Sequence, residues 1–168
     1  MNPIEVMADS EAQEYNMKEI PLTKGQVALV DNEDYDELMR YKWCICSSKN
    51  NLYAVRRISK NKTILMHNHI LDSKMADHRD HNGLNNQKNN IRPCNQSQNN
   101  MNTRKKPGCS SKFKGVVWDL ARQKWAGYIT KDGVTYRLGR FILEKEAALA
   151  YNQKATELHG EFAQLNEV

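Results

Sequence analysis

From Ile20 onward the apolar residues fall into short, broken runs. The stretch IPLTKGQVALVD has strand-like apolar spacing interrupted by Gly25, and NEDYDELMRYKW reads as a short amphipathic helix with Asp31 or Asn32 at its N-cap. WCICS and NLYAVRRI are two β-rich runs separated by SKNN, the pattern of a hairpin, and KTILMHNHILD is a strand passing into a short helix. A second set follows: SKFKGVVWDL, KWAGYITKD and VTYRLGRF predict three short strands, with Asp132-Gly133 as the tight turn between the last two. EKEAALAYNQKATELHG then places Ala147, Ala148, Tyr151, Ala155 and Leu158 at helical spacing, with Gly160 just past the end.

Between these sets the pattern fails. Residues 82–102 hold nine asparagines, which favour turns and caps over a continuous helix, so an ordered loop with a short helix inside it is expected. TRKKPGCSS has the Pro, Gly, Ser and basic content of a linker. The expected fold class is therefore α+β: a weakly ordered acidic tail over 1–19, a small mixed module over 20–102, a basic linker over 103–111, and a module over 112–168 in which a three-stranded antiparallel sheet packs on one helix.

Charge sharpens this division. The formal net charge is only +5, but residues 100–140 carry ten Lys or Arg against two Asp, while residues 1–19 carry five acids and one Lys. Clustered cations gain affinity for a polyanion by releasing counterions from phosphates, so double-stranded DNA is the expected partner of the C-terminal half. No apolar run approaches the roughly 18–20 residues a membrane helix needs, and the acidic N-terminus lacks the layout of a signal peptide. A cytoplasmic, non-secreted protein with no membrane partner is expected. Cys44, Cys46, Cys94 and Cys109 lack C-x-x-C spacing and read as reduced thiols; a zinc site built on Cys44, Cys46, Cys94 and a histidine is the disfavoured alternative.

The segment ADHRDHNGLNNQKNNIRPCNQSQNN concentrates what metal-assisted phosphodiester cleavage requires: a hard oxygen ligand, a base of near-neutral pKa, and carboxamides to complete coordination or fix the base. Asp77 and His78 stand side by side, and on a strand they would point to opposite faces. D-H followed by G-L-N-N-x-x-x-N-I-R and N-Q-S-Q-N resembles the HNH family of homing endonucleases, whose two-strand, one-helix metal fold (ββα-metal) would cover about residues 55–102. The resemblance implies Asp77 and Asn99 as metal ligands, His78 as general base and Asn90 as the residue orienting its imidazole, with Asn86 in a loop-fixing role. It also implies one Mg²⁺ or Mn²⁺, no small-molecule cofactor, and nicking of one DNA strand by a monomer. Two departures are visible. Arg79-Asp80-His81 stands where the family commonly has I-N-G or I-D-G, and Gln87-Lys88 stands where two basic residues are frequent. His67, His69 and His81 read as structural, and His159 carries no assigned function.

Residues 112–166 resemble the plant ethylene-response-factor (APETALA-type) DNA-binding domain. The matching elements are Lys114-Gly115-Val116, Lys124-Trp125-Ala126, Leu138-Gly139 with Phe141, Glu146-Ala147-Ala148 with Ala150-Tyr151, and the ending Gly160-Glu161-Phe162-Ala163 with Leu165-Asn166. The period-2 pattern sets Trp125, Gly127 and Ile129 on one face and Lys124, Ala126, Tyr128 and Thr130 on the other. The resemblance implies that the exposed face enters the major groove, with Val117, Lys114, Trp118, Arg122, Lys124, Tyr128, Thr130, Thr135 and Arg137 as DNA contacts; Trp118 is equally placed for the core. Arg104, Lys105 and Lys106 of the linker read as phosphate contacts. The expected function is a metal-dependent DNA endonuclease of homing type. The alternative is a DNA-binding regulator with a degenerate HNH module.

Overall fold

A computed structural model describes residues 16–48 and 51–168. Most of the expected acidic tail and the centre of the SKNN turn lie outside the described residues. The chain is α+β and divides into two compact units, one ending at Cys94 and the other starting at Asn95. The expected boundary was the 103–111 linker; the division falls earlier, so the short helix of the asparagine-rich segment goes with the second unit.

In the first unit, β1 (Met17–Pro21) pairs antiparallel with β2 (Val27–Asp31). The helix α1 (Asn32–Leu38) follows directly. Asp31 is its N-cap by position, but its carboxylate makes no capping bond and accepts instead from Gln87 Nε2 and the Lys88 backbone N–H. A three-stranded antiparallel sheet comes next, β3 (Cys44–Ser48), β4 (Asn51–Ser59) and β5 (Lys62–Leu65), running into α2 (Met66–Ile70). Ile20, Leu22, Ala28, Val30, Leu38, Trp43, Ala54 and Met66 form the core. The Trp43 indole N–H reaches the Leu38 carbonyl at 2.9 Å, so this large ring is buried without an orphaned donor. The unit ends in a two-stranded ribbon, β6 (Ala76–His78) against β7 (Ile91–Pro93).

The second unit begins with α3 (Gln96–Met101), started by a capping box in which Asn95 and Gln98 bond each other's backbone N–H. Its sheet has the order β10 (Val134–Phe141), β9 (Lys124–Lys131), β8 (Val116–Asp119), all antiparallel, and α4 (Glu144–His159) packs across it. Asp132 (φ 50°) and Gly133 (φ 79°) supply the two positive φ angles that a type I′ hairpin turn needs. Phe113, Val116, Trp125, Phe141, Ala147 and Ala148 form one core cluster; Ile129, Leu138, Tyr151 and Ala155 belong to another. The small residues of α4 let it lie close to the sheet: a Cβ on Gly127 would come within 3.5 Å of the Ala147 carbonyl. Asn166 ties the C-terminal segment back, its carboxamide bonding both the N–H and the carbonyl of Lys114. Among the described residues no helix is long and apolar enough to cross a membrane.

Gly115 is required twice. Its φ is 74°, and an added Cβ would sit 2.1 Å from the Tyr151 ring and 2.5 Å from the Tyr128 carbonyl. Gly115→Ala is therefore expected to destabilise the second unit by about 3 kcal/mol or more, read by urea unfolding followed through its tryptophans.

Candidate functional site

The site is built on the β6–β7 ribbon. Asp77 lies opposite Arg92 and His78 opposite Ile91, so the aspartate and histidine, adjacent in sequence, project to opposite faces. Asp77, His78 and Arg92 are all buried. Arg92 donates to Asp77 Oδ2 from Nε at 3.2 Å and from Nη2 at 2.8 Å. Removing one partner of such a buried pair costs about 3–5 kcal/mol, because the other charge is left uncompensated. The pair holds the carboxylate in one orientation.

The loop between the two strands has little regular structure, and carboxamides satisfy much of its backbone. Asn90 Nδ2 donates to Asp80 Oδ1 at 2.9 Å and to the Asn85 carbonyl at 2.7 Å, while its Oδ1 accepts from the Asp80 N–H at 3.1 Å. Asp80 also accepts from the Asn82 backbone and the Asn85 side chain. Asn86, with no exposed surface, has its N–H on the Leu29 carbonyl of β2, and Leu29 N–H reaches the Leu84 carbonyl. Asn51 on β4 donates to the His81 carbonyl. Gly83 fits against β4 so closely that a Cβ would lie 2.3 Å from the Leu52 carbonyl. Two neighbouring strands and Asp31 therefore clamp the loop from outside.

This network gives Asn86 and Asn90 different partners. Asn86 faces His78: its Oδ1 lies 3.4 Å from His78 Nε2. Asn90 latches the loop that carries Asp80. The Arg79-Asp80-His81 departure also has a local logic. Asp80 is the hub of the loop, and His81 adopts φ 63°, the left-handed conformation for which glycine is the usual choice. Lys88, at one expected phosphate contact, is occupied by Glu33 and Asp34. Asn99 lies half-buried on α3 in the second unit.

Burial sets the electrostatics. Desolvation holds the His78 pKa below the ordinary histidine value despite the opposing pull of Asn86, Asp80 and Asp77, so the imidazole is neutral near pH 7. The Asn86 Oδ1 contact favours the neutral tautomer that carries its hydrogen on Nε2. His67 on α2 stands beside it, ring centroids 4.7 Å apart and planes at 89°, and Tyr53 lies about 6 Å from both rings. Burial, with His78 nearby, pushes His67 down to about 3.

In the second unit the register divides the sequence-derived DNA contacts. Lys124, Tyr128, Thr130, Thr135 and Arg137 share the face away from α4, with Tyr128 opposite Arg137 and Thr130 opposite Thr135. Trp118 pairs with Trp125 instead, edge to face at 4.9 Å, on the helix side of the sheet. Ala126 points to the open face but is buried between its cross-strand neighbours Val117 and Arg140. Lys114 is engaged within the unit: its ammonium donates to the Met101 and Thr103 carbonyls at the end of α3, and burial draws it down to about 8. Sequence reading missed Arg140. A bulge between Arg137 and Gly139 adds one residue to β10, which turns Arg140 to the same face as Arg137. There it bonds Asp119, which Arg122 also approaches; Arg104, Lys105 and Lys106 precede this sheet in a segment without regular structure.

The fold and site thus define a small two-unit α+β protein with a buried Asp-His pair on a strand ribbon. Over 149 residues the chain is 30% identical to an uncharacterized HNH endonuclease of Acanthamoeba polyphaga mimivirus, covering 86% of this chain and 77% of that protein. It is also 32% identical over 87 residues to Protein 3.8 of Escherichia phage T7, covering 52% of this chain and 71% of that one. No family model and no solved structure matches the chain. The chain belongs to the HNH endonuclease family.

The two depressed histidines make acid stability a test of the site. A base whose folded pKa lies below its unfolded value leaves stability intact above the unfolded value and loses it as pH falls. For His67 that window runs from 6.5 down to about 3. Each such proton contributes a slope of at most about 1.4 kcal/mol per pH unit. Urea unfolding across this range is expected to show a steep loss in the wild type and a shallower one in His67→Phe.

Proposed function

We propose that the protein is a metal-dependent DNA endonuclease, nicking one strand per encounter, in which His78 is the general base. The observation that carries this reading is the pairing, on one short ribbon, of a buried oriented carboxylate with a neutral imidazole whose Nε2 is engaged by Asn86, in a chain of the HNH family.

His78 accepts a proton at Nδ1 from a water that attacks phosphorus, and the bond from phosphorus to the 3′ oxygen breaks, leaving a 5′ phosphate and a 3′ hydroxyl. Asn86 fixes the ring's tautomer and plane; Asn90 and Asp80 hold the loop in shape. Arg92 orients Asp77. The Asp77 carboxylate is a hard oxygen ligand of the kind Mg²⁺ or Mn²⁺ takes, ions that need few protein ligands and keep water and phosphate for the rest. When bound at Asp77, the ion would stabilise charge on the phosphate and the departing oxygen. Asn99 as a second ligand rests on the resemblance alone.

The open sheet face of the second unit supports the DNA-binding half of the reading, as an APETALA-type surface. Lys124, Arg137 and Arg140 give it net positive charge against Asp119, and Tyr128, Thr130 and Thr135 give it polar reach into a groove. A homing role rests on the sequence resemblance alone.

Supercoiled plasmid incubated with Mg²⁺ is expected to convert to open circles, and EDTA or His78→Ala is expected to lower the rate by about 100-fold or more. Plasmid that is bound but stays supercoiled would leave a DNA-binding regulator as the reading. In binding titrations, Arg137→Ala is expected to lose about 1–3 kcal/mol of discrimination at one base, whereas Lys105→Ala weakens all sequences evenly and lowers the salt slope by about one.

A further inference from the structure

The sequence from Arg40 to Lys62, which forms β3 and β4 and enters β5, holds seven Lys or Arg and no Asp or Glu. Among the described residues Arg40, Lys42, Arg56, Arg57, Lys60 and Lys62 make no ion pair. Elsewhere in this unit Lys88 meets Glu33 and Asp34, and Arg92 meets Asp77. Like charges without counter-charges repel and destabilise the compact state, and an external polyanion relieves that repulsion. Register then separates the two adjacent arginines. Arg56 pairs with Ile64 and shares its face with Ala54 of the core; its guanidinium lies 3.8 Å from the centre of the Tyr41 ring and 5.8 Å from that of Trp43. Arg57 pairs with Thr63 and shares the opposite face with Tyr53, whose ring centre is 6.0 Å from that of His78. Arg57 and Thr63 are both exposed. A guanidinium and a hydroxyl therefore stand side by side, their Cβ atoms about 5 Å apart, on the sheet face that carries Tyr53.

We propose that Arg57 and Thr63 together bind one backbone phosphate of duplex DNA, a few nucleotides from the phosphodiester under attack, and so position the strand for the nuclease site. The substrate is that of the nuclease reading, on which the inference rests. Arg57 offers a planar fork that donates two N–H groups to phosphate oxygens, and the Thr63 hydroxyl donates a further bond. Four residues of strand separate Arg57 from Tyr53, about 13 Å. Along one DNA strand that distance spans about four phosphates, so the contact flanks the cut and does not touch it. A phosphate contact carries no base preference, which separates this surface from the open sheet face of the second unit. Because the flanking phosphate is the same before and during the reaction, the contact strengthens DNA binding and leaves the chemical step unchanged.

The test measures, on the full chain, binding to a mixed-sequence DNA duplex without metal at several salt concentrations and nicking of plasmid with Mg²⁺. Wild type is compared with Arg57→Ala, Arg57→Lys, Thr63→Val, the double variant Arg57→Ala with Thr63→Val, and Arg56→Ala. Arg57→Ala is expected to raise Kd and KM by about 5- to 20-fold, to keep kcat within about twofold, and to lower the salt slope by about one. Arg57→Lys restores the slope and part of the affinity, because it returns the charge without the fork. Thr63→Val raises Kd by about 2- to 3-fold in wild type and adds less than that to Arg57→Ala, since both groups hold one phosphate. Arg56→Ala, on the opposite face, lowers the urea midpoint and leaves the salt slope at the wild-type value. Wild-type Kd and slope in Arg57→Ala overturn the proposal, and so does an equal loss of slope from Arg56→Ala, which would mark a diffuse field in place of a contact. A wild type that binds plasmid and never nicks it removes the nuclease reading, and the binding data then decide the phosphate contact by the same two criteria.

Discussion

The backbone between β6 and β7 makes few regular hydrogen bonds, and much of its polar demand is met by asparagine and aspartate side chains. Asn90 is the closure: three hydrogen bonds from one carboxamide tie the strand that begins at Ile91 to Asp80 and Asn85 across the loop. Losing them would release Asp80, then the Asn82 and Asn85 bonds that depend on it. A loop this polar cannot hold its shape by burial, and a network that is fully satisfied is rigid where a partly satisfied one is not. The density of asparagine in this segment, which in sequence resembles low complexity, is therefore a supply of short side chains that donate and accept at once.

That shape decides the state of His78. The ring is buried between α2, β4 and the loop, so it resists protonation, and Asn86 selects which nitrogen carries the hydrogen. Arg92 does for Asp77 what Asn86 does for His78. Neither partner is exposed, so neither is free to be replaced by water.

Much of this was legible in the residues. The Asp132-Gly133 turn and the helix over Glu144–His159 followed from local rules, and Gly127 on the helix side of its strand followed from period-2 alternation, whereas the strand Ile91–Pro93 fell inside a segment expected to be loop and short helix. What was not legible depended on the third dimension. Asn86 and Asn90 are chemically identical, and only the clamp of Asn86 onto Leu29 shows which one can reach the imidazole. Asp31 looked like a helix cap because its tertiary partners lie far along the chain. Arg140 was assigned to neither face because strict alternation cannot see a bulge, and Lys114 looked like any other basic residue of a basic segment until the carbonyls of α3 appeared beside it.

The most direct measurement is the tautomer of His78, read from ring ¹⁵N chemical shifts of the metal-free protein near neutral pH. A neutral ring with its hydrogen on Nε2, toward Asn86, and a bare Nδ1 is the expected result. An imidazolium at that pH, or a hydrogen on Nδ1 with Nε2 bare, would contradict the picture of a base aimed and kept neutral by its loop.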